Sequence, residues 1–401
     1  DPPPPINEPV YGTTPYPIPA AYGLRHARSG RLPARGAALS QLPTQPDGGV
    51  AGDGGYAYLI DWREHAAPRL LNQLWTRGMK ARAAFQPFTS QTTQGRHGFG
   101  HGTLVVPVAG QTLDAAALRT AIDEVSREAG VQAWAVATGQ VVEGVDLGSN
   151  SVKPLLAPKI ALVMGAGVIP TEIGSTWFVL SEHVQLAPTR LDPSQLAKAD
   201  LSRYTSIVLS GGQYGDLPDA NVEALRRYVQ AGGSLVTLGT ASRWAVEKKL
   251  IAAGKDEPKA ADDGKAARAD FGRASEVRME QRTAGNMLSA DVDITHPLAF
   301  GVPTRALWVF KETDVTLPVA ADPFSTVVRI DDTPVVNGYL SDQVRNRFVG
   351  QPWATVNALG AGTVVAFADD PAHRKYWHGT ERLLLNALLL SKHLRAPGPR
   401  G

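Results

Sequence analysis

Histidine and glutamate residues offer the first candidate chemistry in this sequence. His378 and Glu381 stand in a His-x-x-Glu pattern, which can supply two zinc ligands from one turn of a helix. Zinc peptidases that use this pattern take their third ligand from a histidine far downstream, whereas only His393 follows Glu381 here. We therefore predict no metal site at this pattern.

A second histidine pair has i, i+4 spacing, which brings two metal ligands together only on a helix. His97 and His101 enclose Gly98-Phe99-Gly100, and two glycines in so short a span disfavour a helix. We expect residues 89–102 to form a polar, glycine-rich loop. We also expect this chain to contain no metal ligands and no cofactor.

Two glycine-containing turns follow strongly apolar segments. Gly165-Ala166-Gly167 could hold a phosphate on backbone N–H groups, but Pro170 stands where the dinucleotide fingerprint needs its third glycine. Ser210-Gly211-Gly212 occupies the position of a nucleophile elbow, but Val208 replaces the upstream glycine of the Gly-x-Ser-x-Gly pattern. A tight turn explains both segments, and we predict no catalytic residue in this chain.

Polar and aromatic residues follow several of the expected strands. In an open α/β sheet, ligands bind in the crevice outside the carboxyl ends of the strands. Carboxylates, an amide, an arginine and two aromatic rings there could hold a peptide terminus or a sugar, although such loops are polar in any sheet of this kind. The residues of this candidate binding rim are Gly165, Glu172, Trp177, Gly212, Gln213, Tyr214, Asp369, Asp370 and Arg374.

Alternating strands and amphipathic helices must position these residues, and they predict an α/β fold. The first part of the chain contains a strand–helix–strand unit twice, with strands at 56–61, 79–85, 104–108 and 131–136. The second part has apolar runs followed by short turns and helices, which predicts a mostly parallel sheet with flanking helices. Its closing helix at 383–390 is almost entirely apolar and must be buried on most sides.

These patterns divide the chain into segments. Residues 1–50 read as a Pro/Gly-rich linker or extended segment, 51–157 as a small α/β domain, and 158–395 as a larger α/β domain. Residues 251–284 interrupt the larger domain with a charged, non-periodic stretch, which is typical of a flexible insertion.

Composition excludes several classes of function. The 401 residues contain 40 Lys+Arg and 38 Asp+Glu, and a net charge of +2 does not suit a dedicated nucleic-acid binder. Because there is no cysteine, disulfides, thiolate zinc sites and cysteine nucleophiles are all excluded. No apolar run is long enough to predict a membrane span, and no leader of the signal-peptide type opens the sequence.

The larger domain resembles the class I glutamine amidotransferase-like fold. The resemblance rests on 159–164 with its glycine turn, 204–212 ending in Gly-Gly, the helix and strand of 222–238, His296-Pro297-Leu298, and 362–370. Active members of that fold carry a cysteine at the elbow, where this chain has Ser210-Gly211-Gly212. The resemblance therefore implies a degenerate domain that cannot hydrolyse glutamine by that mechanism.

The order of these segments is also similar to the carboxyl-terminal region of large bacterial zinc carboxypeptidases of the carboxypeptidase A type. The likeness covers about residues 55–395 and includes Val145-Asp146-Leu147-Gly148-Ser149. It implies a secreted or periplasmic parent hydrolase whose zinc lies in an amino-terminal peptidase domain, and the proline-rich start fits a chain that begins just after that domain. Similar middle domains occur in some large β-galactosidases, so the fold alone does not name the parent activity.

Three functional hypotheses follow. The first is a non-catalytic accessory region that partners the peptidase domain of the same polypeptide, or that assembles as a homo-oligomer. The alternative is a small-molecule, peptide or sugar binding module without catalysis. The third is an autonomous hydrolase that uses His373, His378 and Glu381.

Overall fold

The computed structural model describes residues 17–24, 26, 29–31, 36–38, 40–41, 47–252, 270–281, 283, 285–338 and 340–395. The predicted insertion at 251–284 and the predicted linker at 1–50 lie largely outside the described residues. The predicted domain boundaries stay a prediction. None of the described helices is long and apolar enough to cross a bilayer.

Strands and helices alternate along the described chain. The strands are β1 Gly49–Ala51, β2 Ala57–Ile60, β3 Ala81–Ala84, β4 Phe88–Thr92, β5 Gly95–Phe99, β6 Leu104–Pro107, β7 Gln132–Val136, β8 Glu143–Gly144, β9 Val152–Leu155, β10 Ile160–Val163, β11 Thr189–Leu191, β12 Ser206–Leu209, β13 Ser234–Leu238, β14 Asn286–Val292, β15 Ala306–Lys311, β16 Thr326–Ile330, β17 Val336–Asn337, β18 Pro352–Leu359 and β19 Gly362–Phe367. The α-helices are α1 Ile18–Ala21, α2 Ala67–Thr76, α3 Ala115–Ala129, α4 Pro170–Phe178, α5 Asp219–Gln230, α6 Thr240–Glu247, α7 Ala274–Glu280, α8 Asp342–Phe348 and α9 His378–Leu389.

The first sheet has the strand order β1-β7-β2-β6-β3-β9. Its four central strands and helices α2 and α3 follow one another as β-α-β-β-α-β, the split βαβ arrangement. Asp114 caps α3 by accepting a hydrogen bond from the Ala117 N–H, and Gly130 ends the helix in the left-handed conformation. The predicted small α/β unit is therefore present.

The prediction of a loop over residues 89–102 is wrong, because most of this stretch forms the β4–β5 hairpin. Alternate residues of β4 are buried, and the residues between them lie on the more exposed face of the hairpin. The polar composition of the stretch is therefore compatible with a strand. Gly95, at φ 98°, lies at the turn between the two strands. His97 packs against Phe99 and Trp134, while His101 stacks on Phe300. Both rings therefore have packing roles.

The second sheet begins with five parallel strands in the order β11-β10-β12-β13-β19. Numbered along the chain, this order is 2-1-3-4-5, which is the flavodoxin-like doubly wound order. The central strands are entirely buried, as expected for strands covered on both faces. The predicted α/β class with an amidotransferase-like, flavodoxin-like sheet is confirmed.

The same sheet continues with an antiparallel half. Beyond β19 the order runs β18-β16-β14-β15, and β17 pairs with β14. The parallel arrangement thus covers five of the ten strands of this sheet. A crossover helix is unnecessary between β18 and β19, because these antiparallel strands are joined by a tight turn at Gly360.

Helix α9 joins the two sheets, and its leucines are buried as predicted. The Asn386 side chain accepts a hydrogen bond from the Trp62 indole N–H at 2.9 Å. Its amide donates to the carbonyl oxygens of Leu298 and Phe300 at 2.9 and 2.8 Å. One fully buried side chain therefore connects α9, the segment after β2 and the segment after β14.

Removal of this side chain tests the connection. We expect Asn386→Ala to lower the free energy of unfolding by about 2–4 kcal/mol, because it leaves the buried Trp62 N–H and two carbonyl oxygens without partners. Urea denaturation measures the change. Asn150→Ala, on an exposed turn, is the control and should lie within about 0.5 kcal/mol of the parent protein. Equal losses in the two variants would contradict the role of Asn386.

Candidate functional site

Polar residues gather at the carboxyl ends of the parallel strands of the second sheet. Gly211 follows β12, Gly239 follows β13, and Asp369 and Asp370 follow β19. Glu172, in the first turn of α4, reaches the same edge. We call this group the strand-end rim, and it lies where doubly wound sheets bind their ligands.

The Glu172 carboxylate lies directly against the backbone of the turn after β12. The Gly211 N–H donates to Glu172 Oε2 at 2.8 Å. A Cβ atom at Gly211 would collide with that carboxylate, so this approach requires glycine. Burial raises the pKa of Glu172 to about 7, although the hydrogen bond from Gly211 opposes the rise. Glu172 therefore exchanges its proton near neutral pH.

The sharp strand-to-helix turn lies at Gly239, and the elbow position proposed at Ser210 is wrong. Gly239 has φ 53° and ψ −123°, between the end of β13 and the start of α6, as a nucleophile elbow requires. Ser210 is fully buried, so its hydroxyl is shielded from any substrate. A Cβ at Gly239 would lie 3.8 Å from Glu172 Oε2 and 3.9 Å from the Thr313 methyl carbon. Gly239 therefore has the backbone conformation of a nucleophile elbow but no side chain.

A buried ion pair closes the rim on the side of the antiparallel strands. Lys311 Nζ donates to Asp369 Oδ2 at 2.6 Å, and both side chains are almost fully buried. The backbone N–H groups of Glu312 and Thr313 donate to Asp369 Oδ1 at 3.1 and 2.9 Å. Burial lowers the pKa of Lys311 and raises that of Asp369, while their mutual attraction opposes both shifts. Asp369 is thus a structural residue of the rim.

Asp370 has a different environment from its neighbour. Its Oδ1 atom accepts a hydrogen bond from the Ala372 N–H at 2.9 Å. Its Oδ2 atom is buried and has no hydrogen-bond partner among the described residues. Burial, followed by the charges of Glu172, Asp369 and Glu312, raises the pKa of Asp370 to about 8. At neutral pH this group is chiefly a neutral acid that can donate a hydrogen bond.

Arg374 places a cation beside these carboxyl groups. Arg374 and Lys375 both have left-handed backbones, at φ 52° and 58°. Adjacent residues of this kind persist only where their surroundings hold them. Burial raises the pKa of Glu312, and the charge of Arg374 opposes that rise. Lys375 Nζ lies 4.1 Å from the centre of the Phe178 ring, which fixes the turn against α4.

Three of the predicted rim residues have backbone or packing roles. Tyr214 is buried, and its hydroxyl donates to the Ser210 carbonyl oxygen at 2.8 Å. The Gly212 N–H donates to Thr240 Oγ1 at 2.9 Å. The Gln213 N–H donates to the Gly167 carbonyl oxygen at 2.7 Å, and its side chain is exposed.

Two more predicted residues lie at the outer edge of the site. Gly165 follows β10, and a Cβ there would lie 2.8 Å from Asp192 Oδ2. Trp177 is 42% exposed on α4. The structure therefore brings Glu172, Asp369 and Asp370 together, with Arg374 nearby.

Gly239, Lys311 and Glu312 belong to the rim but were not predicted. Leu238-Gly239-Thr240 follows a buried strand and opens a helix, and this sequence signal could have identified the elbow. Lys311 ends β15 and Glu312 follows it, and neither carries such a signal, because the antiparallel strand pairing decides where they lie.

The histidine set of the hydrolase hypothesis is divided between two places. His373 Nδ1 lies 3.5 Å from Glu312 Oε2, and its ring stacks on Phe310 with centres 4.0 Å apart. His378 and Glu381 instead contact each other through Nδ1 and Oε2 at 3.0 Å. His373 thus borders the rim, whereas the other two residues belong to α9.

A cavity of about 370 Å³ lies at the opposite ends of the strands. Its lining includes Tyr204 and Gly233, which precede β12 and β13. Its carboxylate, Asp200, already accepts hydrogen bonds from Ser202 at 3.1 and 2.6 Å. We favour the rim as the ligand site, because doubly wound sheets bind ligands at the carboxyl ends and because Asp370 has an unpartnered oxygen there.

Comparisons with solved structures find distant likenesses of architecture. A ThuA-like protein from Parabacteroides merdae is 14% identical over 61% of this chain and 94% of its own, with a TM-score of 0.36. A cytoplasmic protein from Salmonella typhimurium is 13% identical over 57% of this chain and 98% of its own, with a TM-score of 0.32. A cold-adapted β-galactosidase from Rahnella sp. R3 is 14% identical over 67% of this chain and 33% of its own, with a TM-score of 0.26. No family model and no curated protein matches the chain.

The raised pKa of Asp370 predicts how stability depends on pH. The folded state keeps this proton to a higher pH than the unfolded chain, so the free energy of unfolding falls as the pH rises from about 5 to about 8. We expect Asp370→Asn to reduce this fall by on the order of 2 kcal/mol, as measured by urea denaturation at both pH values. Asp216→Asn, in an exposed loop, is the control. The same pH dependence in all three proteins would contradict the assignment.

Proposed function

We propose that this chain is a non-catalytic accessory region whose strand-end rim binds a small polar ligand. The observation that carries the proposal is the elbow at Gly239, which keeps the backbone of a nucleophile elbow without a side chain to react. The nearby hydroxyl of Ser210 is buried, and the whole chain contains no cysteine. Binding without nucleophilic catalysis is the function that this arrangement supports best.

The charges of the rim favour a particular ligand chemistry. The charges of Asp369 and Glu312 add to the raised pKa of Glu172, and those of Glu172, Asp369 and Glu312 add to that of Asp370. The buried Lys311 pairs with Asp369. A ligand with hydroxyl or amino groups can donate to the carboxylates of Glu172 and Glu312, whose side chains are not fully buried. A sugar or a peptide amino terminus therefore suits the rim better than a peptide carboxylate, which the acidic groups would repel.

A single thiol at the elbow would report occupancy of the rim. Because the chain contains no cysteine, Gly239→Cys introduces one unique reactive group, and the nearest atoms leave room for its Cβ. We expect the variant to fold with a loss of about 1–3 kcal/mol, since an L-residue is strained at this backbone conformation. Glucosamine or a dipeptide with a free amino terminus should then slow its reaction with maleimide.

A matched variant controls for direct effects on the reagent. Gly215→Cys lies in an exposed loop with no atom within 4 Å of its Cβ, and its labelling rate should not respond to either ligand. Adding Glu172→Gln to Gly239→Cys should weaken the protection. If neither ligand slows labelling at Gly239→Cys at about 10 mM, well above a millimolar Kd, the ligand-binding proposal is wrong.

The resemblance to zinc carboxypeptidases supports a further part of the proposal. We propose that the accessory region belongs to a secreted or periplasmic metallocarboxypeptidase-like protein, which removes carboxyl-terminal residues from peptides. Its partner is the amino-terminal peptidase domain, and zinc belongs to that domain. The support is the order of the sequence segments over about residues 55–395.

The mass of the native gene product tests this parentage. We expect intact-protein mass spectrometry of secreted or periplasmic extracts to find these 401 residues within a clearly larger polypeptide. The additional sequence should carry its own zinc-peptidase motif. A mature product of only these residues would contradict the parentage but would leave the rim proposal standing.

A further inference from the structure

Three histidines and one glutamate lie together at the start of α9. His65 comes just before α2, and His183 ends a π-helical turn that follows α4. His378 and Glu381 occupy the first turn of α9. We call these four residues the histidine cluster, and three separate parts of the chain contribute to it.

The Glu381 carboxylate is the centre of the cluster. The His183 Nδ1–H donates to Glu381 Oε1 at 2.9 Å, and the His378 Nδ1–H donates to Oε2 at 3.0 Å. Glu381 is 4% exposed, and each of its carboxylate oxygens has an imidazole partner. The carboxylate is therefore oriented through both of its oxygens.

The third imidazole, His65, completes a compact group. One ligand atom from each of His65, His378 and Glu381 lies within 4.8 Å of the other two. The ring centres of His65 and His378 are 5.5 Å apart, as are those of His183 and His378. Two ligand atoms on one tetrahedral zinc ion lie about 3.3 Å apart, so only small movements would bring these groups to a common ion.

Helix α9 also fixes the backbone beside His65. The Arg382 guanidinium donates to the carbonyl oxygens of Glu64 and His65 at 2.7 and 3.2 Å. Its Cζ atom lies 5.1 Å from the ring centre of Trp62. The residue that follows Glu381 therefore holds the segment that carries the third imidazole.

We infer that His65, His378 and Glu381 bind one divalent transition-metal ion, with zinc as the first choice. Two imidazoles and a carboxylate form a ligand set that zinc uses when one position remains open to water. The ion would take the place of the Nδ1 proton between His378 and Glu381, and that proton would move to Nε2 as the neutral imidazole changes tautomer. His183 is a positioning residue, because it holds the second carboxylate oxygen.

The sequence pattern alone did not reveal this site. A third ligand was sought downstream of the His-x-x-Glu pattern, whereas the fold supplies His65 from more than three hundred positions upstream. The inference is independent of the strand-end rim. A metal here would join the segment before α2 to α9, whatever ligand the rim binds.

Calorimetric titration of the chelator-treated chain with zinc chloride tests the inference. We expect one ion per chain, and we expect cobalt(II) at the same stoichiometry to give the visible absorption of a four-coordinate nitrogen and oxygen site. His65→Ala should weaken zinc binding by about a hundredfold, and His183→Ala by about tenfold. His97→Ala, in the β4–β5 hairpin, is the matched control and should bind zinc unchanged.

Folding of the variants is checked separately. His65 is exposed, so His65→Ala should melt at the parent temperature without metal, and zinc should raise the melting temperatures of the parent chain and of His97→Ala but not that of His65→Ala. If the parent chain binds no zinc, the inference is overturned. If His65→Ala binds zinc as tightly as the parent chain, it is also overturned, because the ion then lies elsewhere.

Discussion

The buried ion pair between Lys311 and Asp369 is the constraint on which the rim depends. Two charges without water are tolerated only when they are paired and hydrogen-bonded, and Asp369 receives two backbone N–H groups besides the lysine. Meeting this requirement brings the end of β15 to the end of β19. Glu312 and Thr313 directly follow β15. The same ion pair therefore places the acidic side of the rim.

The strand-end rim combines acidic groups with an elbow, Gly239, that has no side chain. In an elbow with a reactive side chain, neighbouring groups must activate that side chain. At Gly239 there is none, and the space beside it is bounded by Glu172 and the methyl group of Thr313. Asp370 keeps an unpartnered oxygen under the same edge. The hydrogen bonds that such groups form change with their protonation, and the elbow has no side chain that could form a covalent bond.

Local signals in the sequence predicted most of the fold and about half of the site. Buried apolar runs identified the parallel strands, and residues in the turns that follow them, such as Gly212 and Asp370, could be assigned to one edge. The hairpin of β4 and β5 was not predicted, because its polar residues obscure the alternation of buried and exposed positions along a strand. Lys311 and His65 were missed because their neighbours are set by strand pairing and helix packing between distant segments, which no local pattern records.

Helix α9 has a mechanical consequence for the whole molecule. Its first turns contact the segment before α2 and the π-helical turn, and Asn386 further along contacts the segment before α2 again and the segment after β14. Rotation of the first sheet against the second would therefore strain several contacts of α9 at once. A ligand that bound one arrangement of the two sheets more tightly than another would, by thermodynamic reciprocity, favour that arrangement.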